Sequence, residues 1–312
     1  MPNRKISIVT SCYNEADNIP ELYARVKAVM EKHSAYEWDF IFSDNYSTDG
    51  TRDVLRKLAS EDPRVKVIFN ARNYGHIRSP MNAFLQADGD AVVTMCSDLQ
   101  DPPEMISDMI REWEKDTKVV IAVREKTECS FLIESFRRMY YATLKYMAPG
   151  EQLISRFTGY GLYDRKVVEA IRQYQDPYPY FRGLISEVGF TRTELPFVQP
   201  KRTRGKTKNN VFTLYDMAMT GFVNHTKLPL RLAVFCGTFL AIICLLVALG
   251  YLIAKLIWWD TFSLGIAPLV IGIFFLAAVQ LLFIGVLGEY IGAIWTQVKH
   301  RPLVVEEERI NF

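Results

Sequence analysis

Five cysteines are spread over 312 residues without a single Cys-x-x-Cys pair, and Cys236 and Cys244 sit inside an apolar run. That distribution gives no metal or disulfide framework and fits reduced thiols. An excess of either charge is also missing. The formal net charge is +2, too little base for a face that grips nucleic acid. No Gly-x-Gly-x-x-Gly follows the first apolar run, and no Gly-x-x-x-x-Gly-Lys-Ser/Thr occurs anywhere. Both absences argue against a dinucleotide dehydrogenase and a P-loop enzyme. Met1-Pro2-Asn3-Arg4-Lys5 leads directly into Ile6-Ser7-Ile8-Val9, too short for a signal-peptide core and with no small-residue cleavage site behind it. The expectation is an amino-terminal part that stays in the cytoplasm.

Apolar residues are plentiful, at 49%, and much of the excess lies in two places. Leu232 to Ala254 carries no charge over roughly 23 positions, enough to cross a bilayer. Thr261 to Gly288 is again uncharged and long enough to span with tilt. Lys255-Leu256-Ile257-Trp258-Trp259-Asp260 joins them, its tryptophans suited to an interface. The competing reading is a buried helical hairpin of a soluble protein. Lys201, Arg202, Arg204, Lys206, Lys208, Lys227 and Arg231 precede the pair, and Lys299, His300 and Arg301 follow it. The positive-inside rule then puts both flanks in the cytoplasm.

Ahead of these spans, apolar runs alternate with helical patterns. Ile6–Thr10, Asp39–Ser43, Val65–Phe69, Ala91–Met95 and Val119–Val123 read as strands. Helices start near Asn18, near Val54, around Met81 and at Glu104, the first with Leu22, Val26 and Val29 on one stripe. Such alternation predicts an α/β domain with a largely parallel sheet and a site assembled from loops along one edge. Two further amphipathic stretches, Phe136–Met147 and Val211–Val223, are read as interfacial helices; for the first, packing onto the domain is an equal alternative.

The loop Thr94-Met95-Cys96-Ser97-Asp98-Leu99-Gln100-Asp101-Pro102-Pro103-Glu104 is the strongest candidate site. Asp98, Gln100 and Asp101 offer oxygens that suit Mg²⁺ or Mn²⁺, an ion usually shared with a substrate phosphate. The plainer reading is a polar turn whose Asp caps the next helix. Asp44, at the exit of the second strand, could take a hydrogen bond from a base or ribose. Arg124, at the end of the fifth, could meet an acceptor phosphate or serve as an ion-pair partner.

Several segments jointly resemble family 2 glycosyltransferases of the polyprenyl-phosphate type. They are Tyr13-Asn14-Glu15, Ser43-Asp44-Asn45-Tyr46-Ser47-Thr48-Asp49-Gly50-Thr51, Arg72-Asn73-Tyr74-Gly75-His76 and Asp98-Leu99-Gln100-Asp101-Pro102-Pro103-Glu104. Leu287-Gly288-Glu289-Tyr290-Ile291-Gly292 and Lys299-His300-Arg301-Pro302 complete the set. The resemblance implies a Rossmann-like GT-A nucleotide-sugar-binding domain over 1–200 and a basic, interfacial segment over 201–230. Two transmembrane helices over 231–296 and a cytoplasmic tail over 297–312 follow. It implies inverting transfer of a sugar from a nucleotide sugar, of UDP type, to polyprenyl phosphate at the cytoplasmic membrane. The alternatives are a processive polysaccharide synthase, whose Gln-x-x-Arg-Trp motif is absent, and a degenerate scaffold.

Site residues carry over by position. Tyr13, Glu15, Asp44, Asn45, Arg72, Asn73, Ser97 and Asp98 would bind the nucleotide sugar, and Asp98 and Gln100 the metal. Arg124, Arg202, Lys206 and Lys208 would meet the acceptor phosphate; Asp98, Arg124, Arg202 and Lys206 form the catalytic set. The basic loop could clamp phosphates or meet anionic lipid. The bilayer is the expected partner, with a homo-oligomer, tetrameric by resemblance. Three positions depart from the pattern: Asn45 stands in place of the second acid of the Asp-Asp segment, Cys96 replaces the first acid of Asp-x-Asp, and Gly159 takes the place of an acid in the turn before Leu162 and Arg165.

Overall fold

The computed structural model describes residues 4–125, 157–200, 228–257, 266–299 and 301–312. Phe136–Met147, Val211–Val223, the basic loop with Arg202, Lys206 and Lys208, and the Trp258-Trp259 turn lie outside the described residues. The chain divides into two compact units. Residues 1–217 and 299–312 form the first, and residues 218–298 the second.

In the first unit the strands are β1 (Lys5–Cys12), β2 (Glu37–Asp44), β3 (Val65–Asn70), β4 (Ala91–Thr94), β5 (Val119–Arg124), β6 (Phe157–Asp164), β7 (Arg192–Phe197) and β8 (Glu306–Ile310). The helices are α1 (Ile19–Met30), α2 (Thr51–Glu61), α3 (Gly75–Gln86), α4 (Ile106–Glu114), α5 (Arg165–Tyr174) and α6 (Phe181–Glu187). One sheet runs in the order β7-β5-β6-β4-β1-β2-β3-β8. Its inner strands read as unbroken apolar runs because both faces are covered. Successive side chains go to opposite layers. Ile6, Ile8, Phe40, Phe42, Val67, Val93 and Val120 pack with Leu22 and Val26 of α1, Leu55 of α2 and Ile106, Met109, Ile110 and Trp113 of α4. Val9, Ile41, Ile68, Val92 and Ile121 pack with Phe84 of α3, Val167, Val168 and Ile171 of α5 and Leu184 of α6.

The first five strands fall where the apolar runs place them, and the sheet is mixed. β1 pairs in parallel with β2 and β4, β2 with β3, and β5 with β7. β6, which sequence reading took for a turn, lies antiparallel between β4 and β5. The residues after Lys299 also return to this unit. β8 pairs antiparallel with β3 and covers an edge that would otherwise stay open. Asp101, expected as a helix cap, folds back instead. Its Oδ2 accepts the Cys96 N–H at 2.9 Å, and the helical stretch begins after Pro102 without a side-chain cap. At α1, likewise, Asn18 gives its amide to Glu15 rather than capping.

The second unit holds α7 (Leu228–Ile257) and α8 (Ile266–Val298), 30 and 33 residues long, and the two touch one another. Phe235, Phe239, Leu246, Phe275, Leu281, Leu282, Ile291 and Trp295 are exposed on them. Within the described residues, Phe275–Val298 is long and apolar enough to cross a membrane.

Candidate active site

The exits of β1, β2, β3 and β4 are knitted into one rim by side chains that close onto backbone. Asn14, in the left-handed region at φ 58°, donates its N–H to the Ser47 hydroxyl at 2.9 Å and accepts the Thr48 N–H on Oδ1 at 2.8 Å. The Glu15 N–H reaches the Thr51 hydroxyl at 2.9 Å. Asp49 receives the Ala16 and Thr51 N–H groups at 3.3 and 3.1 Å. Burial pulls the Asp49 carboxyl up, yet its bonds to Thr51 and Ala16 outweigh that and hold it below its ordinary value. Below the rim, the buried Ser79 hydroxyl of α3 meets Ser11, Ser43 and Asn70 at 2.8, 3.0 and 3.0 Å. It thereby ties three strand ends to one helix.

The proposed nucleotide residues divide by exposure. Asp44 is fully buried. Its carboxylate accepts the Ser47 N–H at 3.2 Å and Arg52 Nε at 2.9 Å. Asn45 is also buried. Its amide donates to Asn73 Oδ1 at 3.0 Å and to the Gly75 carbonyl at 3.1 Å, and its oxygen accepts the Tyr74 N–H at 2.8 Å. These two side chains brace the loops from within. Tyr13 and Glu15 are half-buried, and Arg72 and Asn73 are exposed. Arg72 lies over the Tyr74 ring at 4.1 Å. Ser97 is buried and joins the acidic loop to β1 by donating to the Ser11 carbonyl at 3.2 Å.

The acidic loop leaves β4 and is pinned on three sides. Arg25 of α1 makes a two-point contact with Glu104 at 3.0 and 2.8 Å. Tyr160 of β6 donates to the Pro102 carbonyl at 2.6 Å. Thr94 donates to the Gly159 carbonyl. Leu99 holds φ at 61°, turning the chain so that the Gln100 N–H closes on Asp98 Oδ1 at 3.2 Å. Removing the Tyr160 hydroxyl (Tyr160→Phe) orphans that carbonyl and costs about 1–2 kcal/mol. Urea unfolding checks the stability, with transferase activity expected to fall less than tenfold.

Asp98 and Gln100 are half-buried, while Asp101 is only 1% exposed and its Oδ1 has no hydrogen-bond partner. Burial pushes the Asp101 carboxyl up. The Asp101 carboxylate, with Asp98 behind it, raises the thiol of the exposed Cys96 above its usual range, and a neutral thiol is a soft group among hard oxygens. Arg124, at the end of β5, has a buried Nε without a hydrogen-bond partner and lies near enough to Asp101 and Asp98 for their charges to act on it. Burial lowers its pKa, Asp101 counteracts, and the like charge of Arg182 adds to the drop. The structure thus brings Asp98, Asp101, Cys96 and Arg124 together at one end of the sheet.

The donor set fits a hard divalent ion, since Asp98 and Gln100 offer oxygens and Asp101 has an unsatisfied one. Among the described residues no three His, Cys, Asp or Glu side chains gather into a metal cage. One or two protein oxygens plus substrate phosphate is the arrangement such a set allows. At Gly159 the structure has a β6 residue with φ +104° whose carbonyl accepts from Thr94 and Tyr163.

Arg52 and Arg182 escaped the sequence reading. Arg52 had one signal: a cation in the first turn of a helix sits against the dipole, so it must be held by something else. Arg182 had none.

A Rossmann-like mixed sheet with acids and an arginine at its strand ends is a GT-A-like α/β fold. The sequence profile described as glycosyl transferase family 2 matches residues 7–172, and the chain belongs to that family and is a glycosyltransferase. Its relatives are alike over nearly their whole length. The uncharacterized glycosyltransferase YkcC of Bacillus subtilis (strain 168) is 34% identical over 97% of this chain and 93% of its own. The bactoprenol glucosyl transferase of Shigella phage SfV is 31% identical over 98% and 99%. Among solved structures, the mannosyltransferase PcManGT from Pyrobaculum calidifontis, in complex with GDP-Man and Mn²⁺, is 17% identical with a TM-score of 0.48. The match covers 96% of this chain and 87% of that one.

Proposed function

We propose that this enzyme transfers a hexose from a UDP-sugar to a polyprenyl phosphate at the cytoplasmic face of the membrane, with inversion at the anomeric carbon. One observation carries the reading. A single chain joins the family 2 transferase domain to two long helices with exposed apolar side chains. Relatives with that same span bear the name bactoprenol glucosyl transferase. In this reading α7 and α8 form a transmembrane hairpin with both ends cytoplasmic, given Arg231 before the first uncharged run and Lys299 and Arg301 after the second. The long apolar faces then lie in lipid rather than in water, where patches of that size are rare. A homo-oligomer, tetrameric by family resemblance, is part of the same proposal.

The chemistry is one displacement. An oxygen of the lipid phosphate bonds to the anomeric carbon while the bond from that carbon to the nucleotide diphosphate breaks, and the diphosphate leaves with the electron pair. A phosphate monoester, with a second pKa near 6, is largely dianionic at neutral pH and requires little deprotonation. The lack of a carboxylate at Gly159 is therefore compatible with turnover. The heavier demand is the charge growing on the leaving diphosphate. A divalent ion bound by Asp98 and Gln100 would supply countercharge there. Arg124, desolvated and within the field of the same carboxylates, binds and orients phosphate by its planar fork. Arg202, Lys206 and Lys208 add cations from the segment before the helices. Tyr13, Glu15, Arg72, Asn73 and Ser97 line the donor rim, with Asp44 and Asn45 fixing its shape.

The deciding assay combines the purified protein in detergent with Mg²⁺ or Mn²⁺, undecaprenyl phosphate and a panel of labelled UDP- and GDP-sugars. A lipid-linked sugar from one donor is the expected result. No lipid product with any donor sinks the reading. A polymer rather than a single-sugar lipid favours a processive synthase.

A further inference from the structure

We propose that the last strand, β8, is a working part of the donor site, with Glu307 as a positioning residue that acts through Arg52 on Asp44. The inference rests on the donor-binding reading above and deepens it.

Arg52 spends all three faces of its guanidinium on separate parts of the chain. Nε donates to Asp44 Oδ2 at 2.9 Å, Nη2 to the Asn70 carbonyl at 2.9 Å, and Nη1 to Glu307 Oε2 at 2.9 Å. Its plane lies over Phe69 at 5.1 Å and Tyr46 at 5.2 Å. Asp44 is a carboxylate with no exposed surface, and a buried charge requires a partner; Arg52 is that partner. The Asp44 carboxylate in turn receives the Ser47 N–H, and the Ser47 hydroxyl accepts the Asn14 N–H. Tyr46, between them, holds φ at 67°, a conformation that costs a non-glycine residue energy and persists only where neighbours enforce it. The shape of the β2 exit loop is thus set by a relay from Glu307 to Arg52 to Asp44 to Ser47 to Asn14.

β8 docks by more than this relay. It makes backbone bonds to β3, Arg56 pairs with Glu308 at 2.6 Å, and Asn82 donates to Glu306 at 3.0 Å. A merely structural edge cover would use all these contacts alike. Of these contacts only Glu307 reaches the group that holds Asp44, while Glu308 pairs with Arg56, one turn further along α2, which meets the Phe69 ring but makes no bond to Asp44. That pairing of neighbours supplies the control.

The test titrates the full-length protein with UDP and with GDP in the presence of Mn²⁺, and measures donor KM and kcat. Glu307→Gln is expected to weaken nucleoside diphosphate binding and raise donor KM by about three- to tenfold, with kcat within about twofold of wild type. Glu308→Gln should leave all three unchanged. Arg52→Lys, which cannot make the fork, should weaken binding at least as much, and adding Glu307→Gln to it should weaken binding no further. Equal effects of Glu307→Gln and Glu308→Gln overturn the proposal, as does additivity of Glu307→Gln with Arg52→Lys. Wild-type protein that binds neither diphosphate defeats the donor-site reading itself, and the inference with it. Melting curves of each variant separate lost binding from lost fold.

Discussion

Asp98→Ala lowers sugar transfer to the lipid phosphate by about a thousandfold or more, while the protein melts within about 2 °C of wild type. The size follows from where the carboxylate stands. Asp98 is the half-buried acid of the β4 exit, beside Gln100 and opposite Arg124. In the proposed mechanism its removal takes a full negative charge from the site that would hold a divalent ion against the leaving diphosphate, and Gln100 alone offers only an amide oxygen. The fold should be indifferent. The Asp98 bond to the Gln100 N–H, at 3.2 Å, stays within its own turn, whereas Glu104, Tyr160 and Thr94 pin the loop to other elements. Excess Mn²⁺ should restore little if, as proposed, the missing group is itself a ligand. Asp101→Asn makes the contrast. It keeps an oxygen for the Cys96 N–H but places an uncharged amide in a buried spot, so stability and activity both move. Full metal-dependent turnover by Asp98→Ala would end the metal assignment.

The readable part of this molecule is the part with regular period. Ile6, Ile8, Val9, Phe40, Ile41, Val67, Ile68, Val92 and Val93 are apolar on both faces of their strands, and that pattern marks a covered parallel sheet before any contact is known. The polar exits follow from the strands, so the edge that carries the site was legible too. Three features were not. Asp101 looked like a cap because Asp-Pro-Pro-Glu is what a capped helix looks like; its bond to Cys96 N–H arises from the turn at Leu99, which residue type does not announce. β8, Glu306-Glu307-Glu308-Arg309-Ile310, reads as a solvated charged tail. It is a strand because Arg52, Arg56 and the β3 edge wait some 250 residues upstream, near in space alone. Asn45, in the place of a familiar acid, reads as a ligand for substrate, yet its amide is consumed by Asn73, Tyr74 and Gly75. In each case what was hidden is a bond that no sequence period announces, local at Asp101 and distant at β8 and Asn45.

The largest expected effect on stability comes from the strand that sequence reading took for a turn. Phe157-Thr158-Gly159-Tyr160-Gly161-Leu162-Tyr163-Asp164 has two glycines, the usual mark of a bend, yet it pairs with both β4 and β5, with an irregularity in the β5 register opposite its first half. Gly161 is there because the neighbouring strand comes too close for anything larger. A Cβ on it would lie 2.5 Å from the Val120 carbonyl oxygen, 3.1 Å from the Tyr163 hydroxyl and 3.2 Å from Ile121 Cα. The nearest atom is backbone inside a ladder, so it cannot swing away as a side chain would, and relief requires β5 and β6 to part. Gly161→Ala should cost about 3 kcal/mol or more, which lowers the melting midpoint by about 6–12 °C in a domain of this size. Gly50→Ala is the comparison. Its φ is +92° but nothing lies within 4 Å, so it bears only backbone strain, about 1–2 kcal/mol. Activity should fall with Gly161→Ala as well, because the shifted strand carries Tyr160, whose hydroxyl holds the acidic loop at Pro102. A Gly161→Ala protein that melts with wild type, or loses less than Gly50→Ala does, would mean that β5 and β6 have room to separate. The close packing that sets the acidic loop in place would then be absent.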